Sequence, residues 1–342
     1  MKNWNYKSGI FVLTKSAAVI LVVAFCMLLS GPAHAADQAA NVIKVKLGHD
    51  KPAGNPMAMG ADFLAKEVDK GTKGAVKIQI FGSSQLGGER EMIEGLQSGF
   101  IEMAITNTVA VSVFEKRLQV LGLPFLFKSP KDASKVLAGP VGDDLFKNLK
   151  NKNIIVLGVW RGASRDIVTN NKVINKMEDL KGLRIRSMET PVTVDFLKAL
   201  GALPIIMPYN DVYIGLQTGT IDGCDVATVL YETDHMDDVA KNLARIRWSY
   251  GTYTVMASKA FWEKLTPAQQ KVIKDAALAA AKVDDDEYDI QEKNLLTVLK
   301  GRKVVVTTPD VESFKKAVSE LYVKKWEPAY GKDLVEKLRA GK

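Results

Sequence analysis

Residues 180–223 read LKGLRIRSMETPVTVDFLKALGALPIIMPYNDVYIGLQTGTIDG, and this stretch decides the fold because strand and helix patterns alternate within it. From Leu183 to Met188 the letters alternate between two faces, which is typical of a half-buried β-strand. Pro191 then begins an apolar-periodic helix that runs to Leu200. A strand whose carboxyl end meets a helix N-terminus is a common ligand position. The stretch therefore predicts an α/β fold with a binding site beside it.

Two arginines, Arg184 and Arg186, lie on the same face of this predicted strand. A strand with one buried face has little need for charge there, and a buried guanidinium needs an anion as its partner. We expect one of the two to bind an anionic ligand and the other to be a surface charge. The alternative is that both are solvated charges on the edge of a sheet.

The same alternation continues on both sides of this stretch. Period-two and buried-run patterns predict strands at 42–49, 75–81, 101–106, 153–159 and 204–207, with an extended segment at 246–256, and helical spacing predicts helices at 56–70, 89–97 and 211–217. Strands and helices that alternate along a chain favour an α/β fold with a mainly parallel, helix-covered sheet.

A much longer helix is predicted to begin after Thr266-Pro267 and to continue to about Leu299. Some thirty residues span about 45 Å, more than one small lobe, so we expect a strut across two lobes. The acidic run 284–287 is interpreted as a solvated face of this helix. Without a Pro-rich linker the lobes should be interleaved: lobe I comprises 36–164 plus about 253–292, and lobe II comprises 165–252 plus about 293–342.

Residues 1–35 have the pattern of a cleaved export signal. Lysines precede an apolar run from Ala17 to Leu29, and the small residues Ala33 and Ala35 suit a signal peptidase. An uncleaved anchor is the competing interpretation, but the run is shorter than the roughly 20 residues that span a bilayer. We expect a periplasmic protein. Cleavage would lower the formal net charge from +8 to about +5 because the signal carries three lysines and no acid.

The composition excludes several function classes. No basic run interleaved with aromatic residues suggests nucleic acid binding. Beyond residue 35 the chain has two histidines, His49 and His235, and one cysteine, Cys224, too few for a Cys/His zinc cluster. The common phosphate-loop, dinucleotide, nucleophile-elbow and metalloprotease motifs do not occur. We expect the protein to hold neither a cofactor nor a metal and not to be an enzyme. The alternative is an enzyme whose catalytic residues are scattered along the sequence.

Several motifs together resemble the solute receptors of tripartite ATP-independent periplasmic (TRAP) transporters, in their dicarboxylate-receptor-like branch. The motifs are QLGGERE at 85–91, LPFLF at 123–127, DLKGLRIR at 179–186 and LQTG at 216–219, followed by Asp222-Gly223. The resemblance covers essentially the whole chain beyond the signal. It implies a two-lobed receptor, spanned by a long helix, that closes around a small organic acid and delivers it to a membrane permease, as a monomer or a homodimer.

The resemblance also implies which residues bind the ligand. Arg186 matches the arginine that holds the ligand carboxylate, and Arg165 matches its assistant, since a guanidinium offers a bidentate fork to a carboxylate. Arg184 is then the surface charge. Further pocket positions correspond to Asp50, Glu89, Asn107, Glu189, Tyr209 and Trp248. For the acids the alternative role is helix capping or plain surface charge, and for the two aromatic residues it is core packing.

The chain departs from the family pattern after the LQTG motif. Cys224, Asp225 and Val226 stand where relatives often have Gln-Glu-Asn, so a carboxamide that commonly touches the ligand is replaced by valine. With Trp248, this change favours a ligand with an apolar face or a shorter acid. The acids on the other walls favour a hydroxylated sugar acid instead. Two other functions stay open: a sensory receptor that presents the acid to a signalling partner, and an enzyme that uses Glu89 or Asp50 as a base.

Overall fold

The computed structural model describes residues 42–341. The predicted signal peptide lies outside these residues. In the described part, the strands are β1 Ile43–Gly48, β2 Val76–Phe81, β3 Met103–Asn107, β4 Ile154–Thr169, β5 Arg184–Ser187, β6 Leu203–Ile206, β7 Gly223–Ala227, β8 Asn242–Ser258 and β9 Val305–Thr307. The helices are α1 Pro56–Gly71, α2 Glu89–Ser98, α3 Pro130–Leu137, α4 Pro140–Phe146, α5 Pro191–Ala199, α6 Val212–Gln217, α7 Thr228–Thr233, α8 Lys259–Trp262, α9 Pro267–Gly301, α10 Val311–Leu321, α11 Glu327–Tyr330 and α12 Lys332–Ala340.

The strands of the described residues form one sheet in the order β2-β1-β3-β8-β4-β7-β5-β6, with β9 paired to β8. The outer pairs are parallel, as the alternation of strands and helices predicts. The three central pairs, β3 with β8, β8 with β4 and β4 with β7, are antiparallel. The sheet is therefore mixed, because two long strands run through its middle against the direction of their neighbours.

Strands β4 and β8 are the longest, with 16 and 17 residues. The sequence predicts only the apolar first part of β4, since the second part carries the buried charges Arg161, Arg165 and Asp166. The pairing of the two strands shifts register between Arg161 and Ser164 and again after Arg165. These shifts fall beside the predicted lobe boundary at 164/165, which stays a prediction.

The hydrophobic core has two parts, one on each face of the sheet. In β3, for example, Ala104 belongs to one part, and Met103 and Ile105 belong to the other. This follows from the alternation of side chains along a strand. Because helices cover both faces, strands such as β3 are buried at every position.

Helix α9 has 35 residues, a length of about 52 Å. Thr266 and Gln269 form a capping box at its start. Near the start the Trp160 indole donates to the carbonyl of Ala277 at 2.8 Å, and beyond its end Arg302 bonds Glu232 at 2.8 Å. The helix is thus attached at both ends.

The acidic run 284–287 of α9 is not uniformly solvated. Asp284 is fully buried, and neither of its carboxylate oxygens has a hydrogen-bond partner in the described structure. Burial raises the pKa of Asp284 well above its usual value. The interpretation of this run as a solvated face is wrong for Asp284. One position in every three to four of a packed helix faces the core, and Asp284 occupies such a position.

Candidate functional site

A cavity of about 140 Å³ opens beside the ends of β1 and β5 and the first turn of α2. This is smaller than the roughly 300–1,000 Å³ of sites that hold drug-sized ligands. Five of the predicted site residues line it together: Asp50, Glu89, Arg186, Glu189 and Tyr209. The cavity is therefore suited to a small ligand.

Arg186 and Arg165 share one buried carboxylate, that of Asp225. Arg165 donates through Nε to Asp225 Oδ2 at 2.7 Å, and Arg186 NH1 lies 4.0 Å from Asp225 Oδ1. Arg186 also donates through Nε to the carbonyl of Met207 at 2.9 Å. Burial, together with the nearby charge of Arg165, lowers the pKa of Arg186 although Asp225 opposes the change. Asp225 thus holds Arg165 closely and Arg186 only at 4.0 Å, while the charge of Glu89 also acts on Arg186.

Arg165 does not line the cavity itself. It lies behind Arg186 and is linked to it through Asp225, so its position is that of a support for Arg186. Arg184, on the same strand as Arg186, is 43% exposed and pairs with Asp222 at 2.6 Å. Of the two arginines of β5, Arg186 is thus the buried one.

Glu89 and Asn107 are joined at the opposite wall. The Glu89 carboxylate accepts from the backbone N–H of Asn107 at 2.6 Å, and the Asn107 side chain accepts from the N–H of Val109 at 2.9 Å. Burial and the nearby Asp50 raise the pKa of Glu89 to about 7. Glu89 therefore does not cap its own helix, and near neutral pH it exchanges between acid and carboxylate. Asn107 lies next to the cavity without lining it.

Asp50 is paired with a lysine that the sequence interpretation did not include. Lys51 is 4% exposed, lies 2.7 Å from Asp50 and stands 4.0 Å above the ring of Tyr209. Burial alone would lower the pKa of Lys51, but Asp50, Glu89 and Asp234 together raise it. The Tyr209 hydroxyl donates to Asp234. This buried network holds Asp50 and Tyr209 in place at the cavity.

The two remaining predicted residues differ in their surroundings. Glu189 lines the cavity at its mouth, where it is about half exposed and pairs with Arg90 at 2.7 Å. Trp248 is fully buried and stacks on Phe196 with ring centroids 4.4 Å apart. It packs in the core and does not line this cavity, which matches the alternative role of core packing.

The residues at the departure from the family pattern are also buried in the core. Cys224 and Val226 are each 1% exposed, and they pack in the part of the core on the face opposite to Trp248. Burial raises the pKa of the Cys224 thiol to about 12, so it is an unreactive apolar side chain. Neither residue lines the cavity, and the valine therefore adds no apolar wall to it.

Sequence reasoning missed Asp225 and Lys51. Asp225 belongs to the departing segment that was interpreted only through its neighbours, although a carboxylate beside two predicted anion-binding arginines was the available signal. Lys51 follows Asp50 directly, but adjacent opposite charges are common on surfaces, so their spacing did not indicate burial.

The chemistry of this arrangement suits binding. The Arg186 guanidinium, which pairs only at 4.0 Å with Asp225, shares the cavity with acceptor groups of Asp50, Glu89 and Tyr209. Among residues 42–341, no group of three or more His, Cys, Asp or Glu side chains is arranged to hold a metal ion. Over the same range, no helix combines the length and apolar character needed to cross a membrane.

Known proteins with this sequence pattern and fold are solute receptors. The family model described as bacterial extracellular solute-binding protein, family 7, matches residues 47–328. The 2,3-diketo-L-gulonate-binding periplasmic protein YiaO of Escherichia coli K12 is 28% identical over 88% of this chain and 94% of its own length.

Two crystal structures superpose closely. A TRAP periplasmic solute-binding protein from Polaromonas sp. JS666, bound to D-erythronate, is 32% identical with a TM-score of 0.84, over 87% of this chain and 98% of that one. The sugar acid binding protein DctPAm from Advenella mimigardefordensis, in complex with galactonate, is 27% identical with a TM-score of 0.84, over 88% and 98%. These superpositions confirm the two-lobed α/β fold. The chain belongs to the bacterial extracellular solute-binding proteins of family 7, the receptors of TRAP transporters.

Proposed function

We propose that this receptor binds a small polyhydroxylated monocarboxylate, a sugar acid, and delivers it to the membrane permease of a TRAP transporter. The observation that carries the proposal is the buried guanidinium of Arg186, which is 5% exposed and lines the cavity. Within residues 42–341 it forms one ion pair, with an Asp225 carboxylate that Arg165 holds more closely. A ligand carboxylate would supply a closer counterion through a bidentate pair.

The other walls favour hydroxyl groups at the far end of the ligand. Asp50 and Glu89 accept hydrogen bonds, whereas a second carboxylate would meet these acids as a like charge. The two reasons for an apolar ligand, Val226 and Trp248, lie in the core and not in the cavity wall. D-erythronate and galactonate, bound by the two solved relatives, are acids of the proposed kind.

The proposed cycle needs no catalytic step. The carboxylate meets Arg186 on lobe II, the lobes close by a hinge motion, and Asp50, Glu89 and Asn107 approach the far end of the ligand. Water leaves the cleft, and the ion pair becomes stronger. The proposed lobes are those expected from the sequence, with the boundary at 164/165, and the proposed export includes cleavage of residues 1–35. The protein acts as a receptor and not as an enzyme, in the periplasm.

Calorimetry on the protein without residues 1–35 tests the anion-binding role. D-erythronate and galactonate should bind, erythritol should not, and succinate should bind more weakly than either sugar acid. Arg186→Ala should lower the affinity for the best ligand by roughly 30-fold or more, since truncating one member of a buried charge pair costs about 2–5 kcal/mol. Arg184→Ala, on the same strand but exposed, is the matched control and should bind like the parent.

Two outcomes would contradict the proposal. If Arg186→Ala binds the best acid as tightly as the parent, the arginine does not hold the carboxylate. If the acid recovered after prolonged incubation is chemically altered, the protein is an enzyme, and Glu89 with its pKa near 7 is the base to replace first.

A further inference from the structure

A second cavity, of about 740 Å³, lies away from the proposed ligand site, between β8, α10 and the segment before α3. Its volume is within the range of small-molecule sites. Four cationic side chains line it, from Lys128, Arg245, Arg247 and Lys315, and no acidic side chain does. Because the proposed ligand site has acids on several walls, the two cavities differ in charge.

Arg245 is the charged group at the base of this second cavity. Its side chain is 10% exposed, and its Nε and one terminal nitrogen make no hydrogen bond in the described structure. The nearest carboxylate is Asp166, whose Oδ2 lies 3.7 Å from Arg245 Nε. Buried guanidinium donors without acceptors are unfavourable, so the site has unused capacity for an anion.

Asp166 does not satisfy Arg245 because its Oδ2, 3.7 Å from Arg245 Nε, is beyond hydrogen-bond distance, and both of its oxygens are held by other donors. Oδ2 accepts from the hydroxyl of Thr228 at 2.6 Å, and Oδ1 accepts from the backbone N–H of Arg247 at 2.7 Å. Burial raises the pKa of Asp166, which weakens it further as a counterion. Of the other cations, Lys315 pairs with Glu312 at 2.7 Å, and no ion pair is formed by Lys128 or Arg247 within the described residues.

The remaining walls of the cavity are apolar. Phe125, Phe127 and Tyr250 contribute aromatic rings, and Leu296 and Val306 lie at the edge with 47% and 37% of their surface exposed. A ligand with an apolar body would cover these side chains and remove apolar surface from water. Arginine nitrogens beside aromatic rings also suit a planar anion.

The backbone around the cavity is held in an unusual conformation. Phe125 and Arg247 have φ angles of 58° and 51°, in the left-handed region that L residues rarely adopt. The N–H of Phe125 donates to the carbonyl of Trp248 at 2.6 Å, which fixes these two segments together. Strained residues of this kind concentrate at ligand clamps.

We propose that this second cavity binds a small organic anion whose carboxylate meets Arg245 and whose aromatic or apolar body packs on Phe125, Tyr250 and Val306. The bound anion supplies the acceptors that Asp166 does not. The site is independent of the sugar acid cleft: a different arginine holds the anion, and the ligand needs an apolar body in place of hydroxyl groups.

Benzoate is the probe, added to the protein saturated with its best sugar acid so that the first cleft is occupied. Benzoate should bind saturably, and it should bind Arg186→Ala equally well in the absence of sugar acid. Arg245→Gln should weaken benzoate binding at least tenfold, and neutral benzyl alcohol should bind at least tenfold more weakly than benzoate. Because the two arginines act at different sites, failure here is distinguishable from failure of the sugar acid proposal.

A second variant covers the case in which Arg245→Gln does not fold. Lys128→Ala removes an exposed cation at the edge of the cavity without touching Asp166, and it should weaken benzoate binding about threefold or more. Lys150→Ala, also exposed but outside the cavity, is the matched control and should leave binding unchanged. The absence of saturable benzoate binding in the saturated parent, or equal binding by Lys128→Ala, Lys150→Ala and the parent, would overturn the proposal.

Discussion

Asp225 shows how a single acid can prepare two arginines for a ligand. It holds Arg165 directly and lies 4.0 Å from Arg186, which also donates to the carbonyl of Met207. Both guanidinium groups are therefore oriented before a ligand arrives, and less conformational entropy is lost on binding. Asp225 Oδ1 has no hydrogen-bond partner in the described structure, so it attracts Arg186 without saturating it.

Lys51 pairs with Asp50 on the cavity wall opposite Arg186, and replacing Lys51 should lower the stability of the protein. In Lys51→Met the buried Asp50 carboxylate loses its cation, while its Oδ1 already lacks a hydrogen-bond partner. We expect the free energy of unfolding to fall by about 3–5 kcal/mol, as for other broken buried ion pairs. Denaturant unfolding at neutral pH measures the change.

A double variant separates lost charge pairing from lost packing. Asp50→Asn combined with Lys51→Met removes both charges and should recover most of the stability. Lys44→Met, at an exposed position of strand β1, which precedes the pair, is the control and should change stability by less than about 0.5 kcal/mol. Equal effects of Lys44→Met and Lys51→Met would show that the pair has no structural role.

At the scale of elements, β4 and β8 leave no room for a side chain at Gly162, where their register shifts. A Cβ added to Gly162 would lie 2.7 Å from the backbone carbonyl carbon and oxygen of Gly251. Backbone atoms in the middle of a sheet have little room to move. The close approach of the Gly251 backbone therefore requires a glycine at 162.

Gly162→Ala should lower the free energy of unfolding by about 1–3 kcal/mol, the usual range for overpacking. Gly158→Ala in the same strand is the matched control, since its Cβ would lie an ordinary 3.7 Å from the Leu278 side chain. We expect the control to be neutral or slightly stabilising. Thermal unfolding of both variants checks this, and similar melting temperatures would contradict a steric role for Gly162.

The elements that the sequence predicts are those with a clear period. Strand β1, helix α1 and helix α9 lie within two residues of their predicted bounds. Strand β7 was not predicted, because all five of its residues are buried and its short sequence GCDVA has no period. The second half of β4 was missed for a related reason, since its charges are paired by residues distant in sequence.

The site residues, like the strands and helices, could be predicted only where the local sequence carries a signal. Arg186 and Glu89 lie in motifs with a recognisable neighbourhood, and the structure brings them to one cavity. The partnership of Asp225 with both arginines depends on the pairing of β7 with β4 and β5. Local sequence does not determine which distant strands become neighbours, so this contact was beyond sequence reasoning.

For the whole molecule, the buried acids determine how stability responds to pH. Burial raises the pKa of Glu89 to about 7, and it also raises that of Asp166. At Glu89 the folded protein then binds more protons than the unfolded chain between about pH 4.5 and 7. The additional bound proton stabilises the folded protein at low pH, and this contribution to the free energy of unfolding is lost as the pH rises towards 7.

Glu89→Gln should reduce this pH dependence. In the parent, ionisation of Glu89 lowers the free energy of unfolding by at most about 1.4 kcal/mol per pH unit over that range. The variant lacks the ionisation and should lose less stability between pH 5 and 8. The lowered pKa of His49 acts in the opposite direction, but it is common to both proteins.

Denaturant unfolding at several pH values measures the difference between the two proteins. Glu91→Gln, exposed on the same helix, is the control and should follow the parent. If Glu89→Gln and the parent lose stability in parallel, Glu89 ionises in the folded protein as it does in the unfolded chain.

The central position of β8 has a consequence for how the protein is made. Met103 pairs with Ala257, and Ile154 pairs with Ser258. Strands β3 and β4 therefore cannot pair with β8 until β8 has left the ribosome, long after they have. Contacts between such distant residues are slow to form because a long loop must close first. The centre of the sheet therefore stays unpaired until most of the chain has been synthesised, and a chain that folds this late is in the unfolded state that the proposed export through a membrane pore requires.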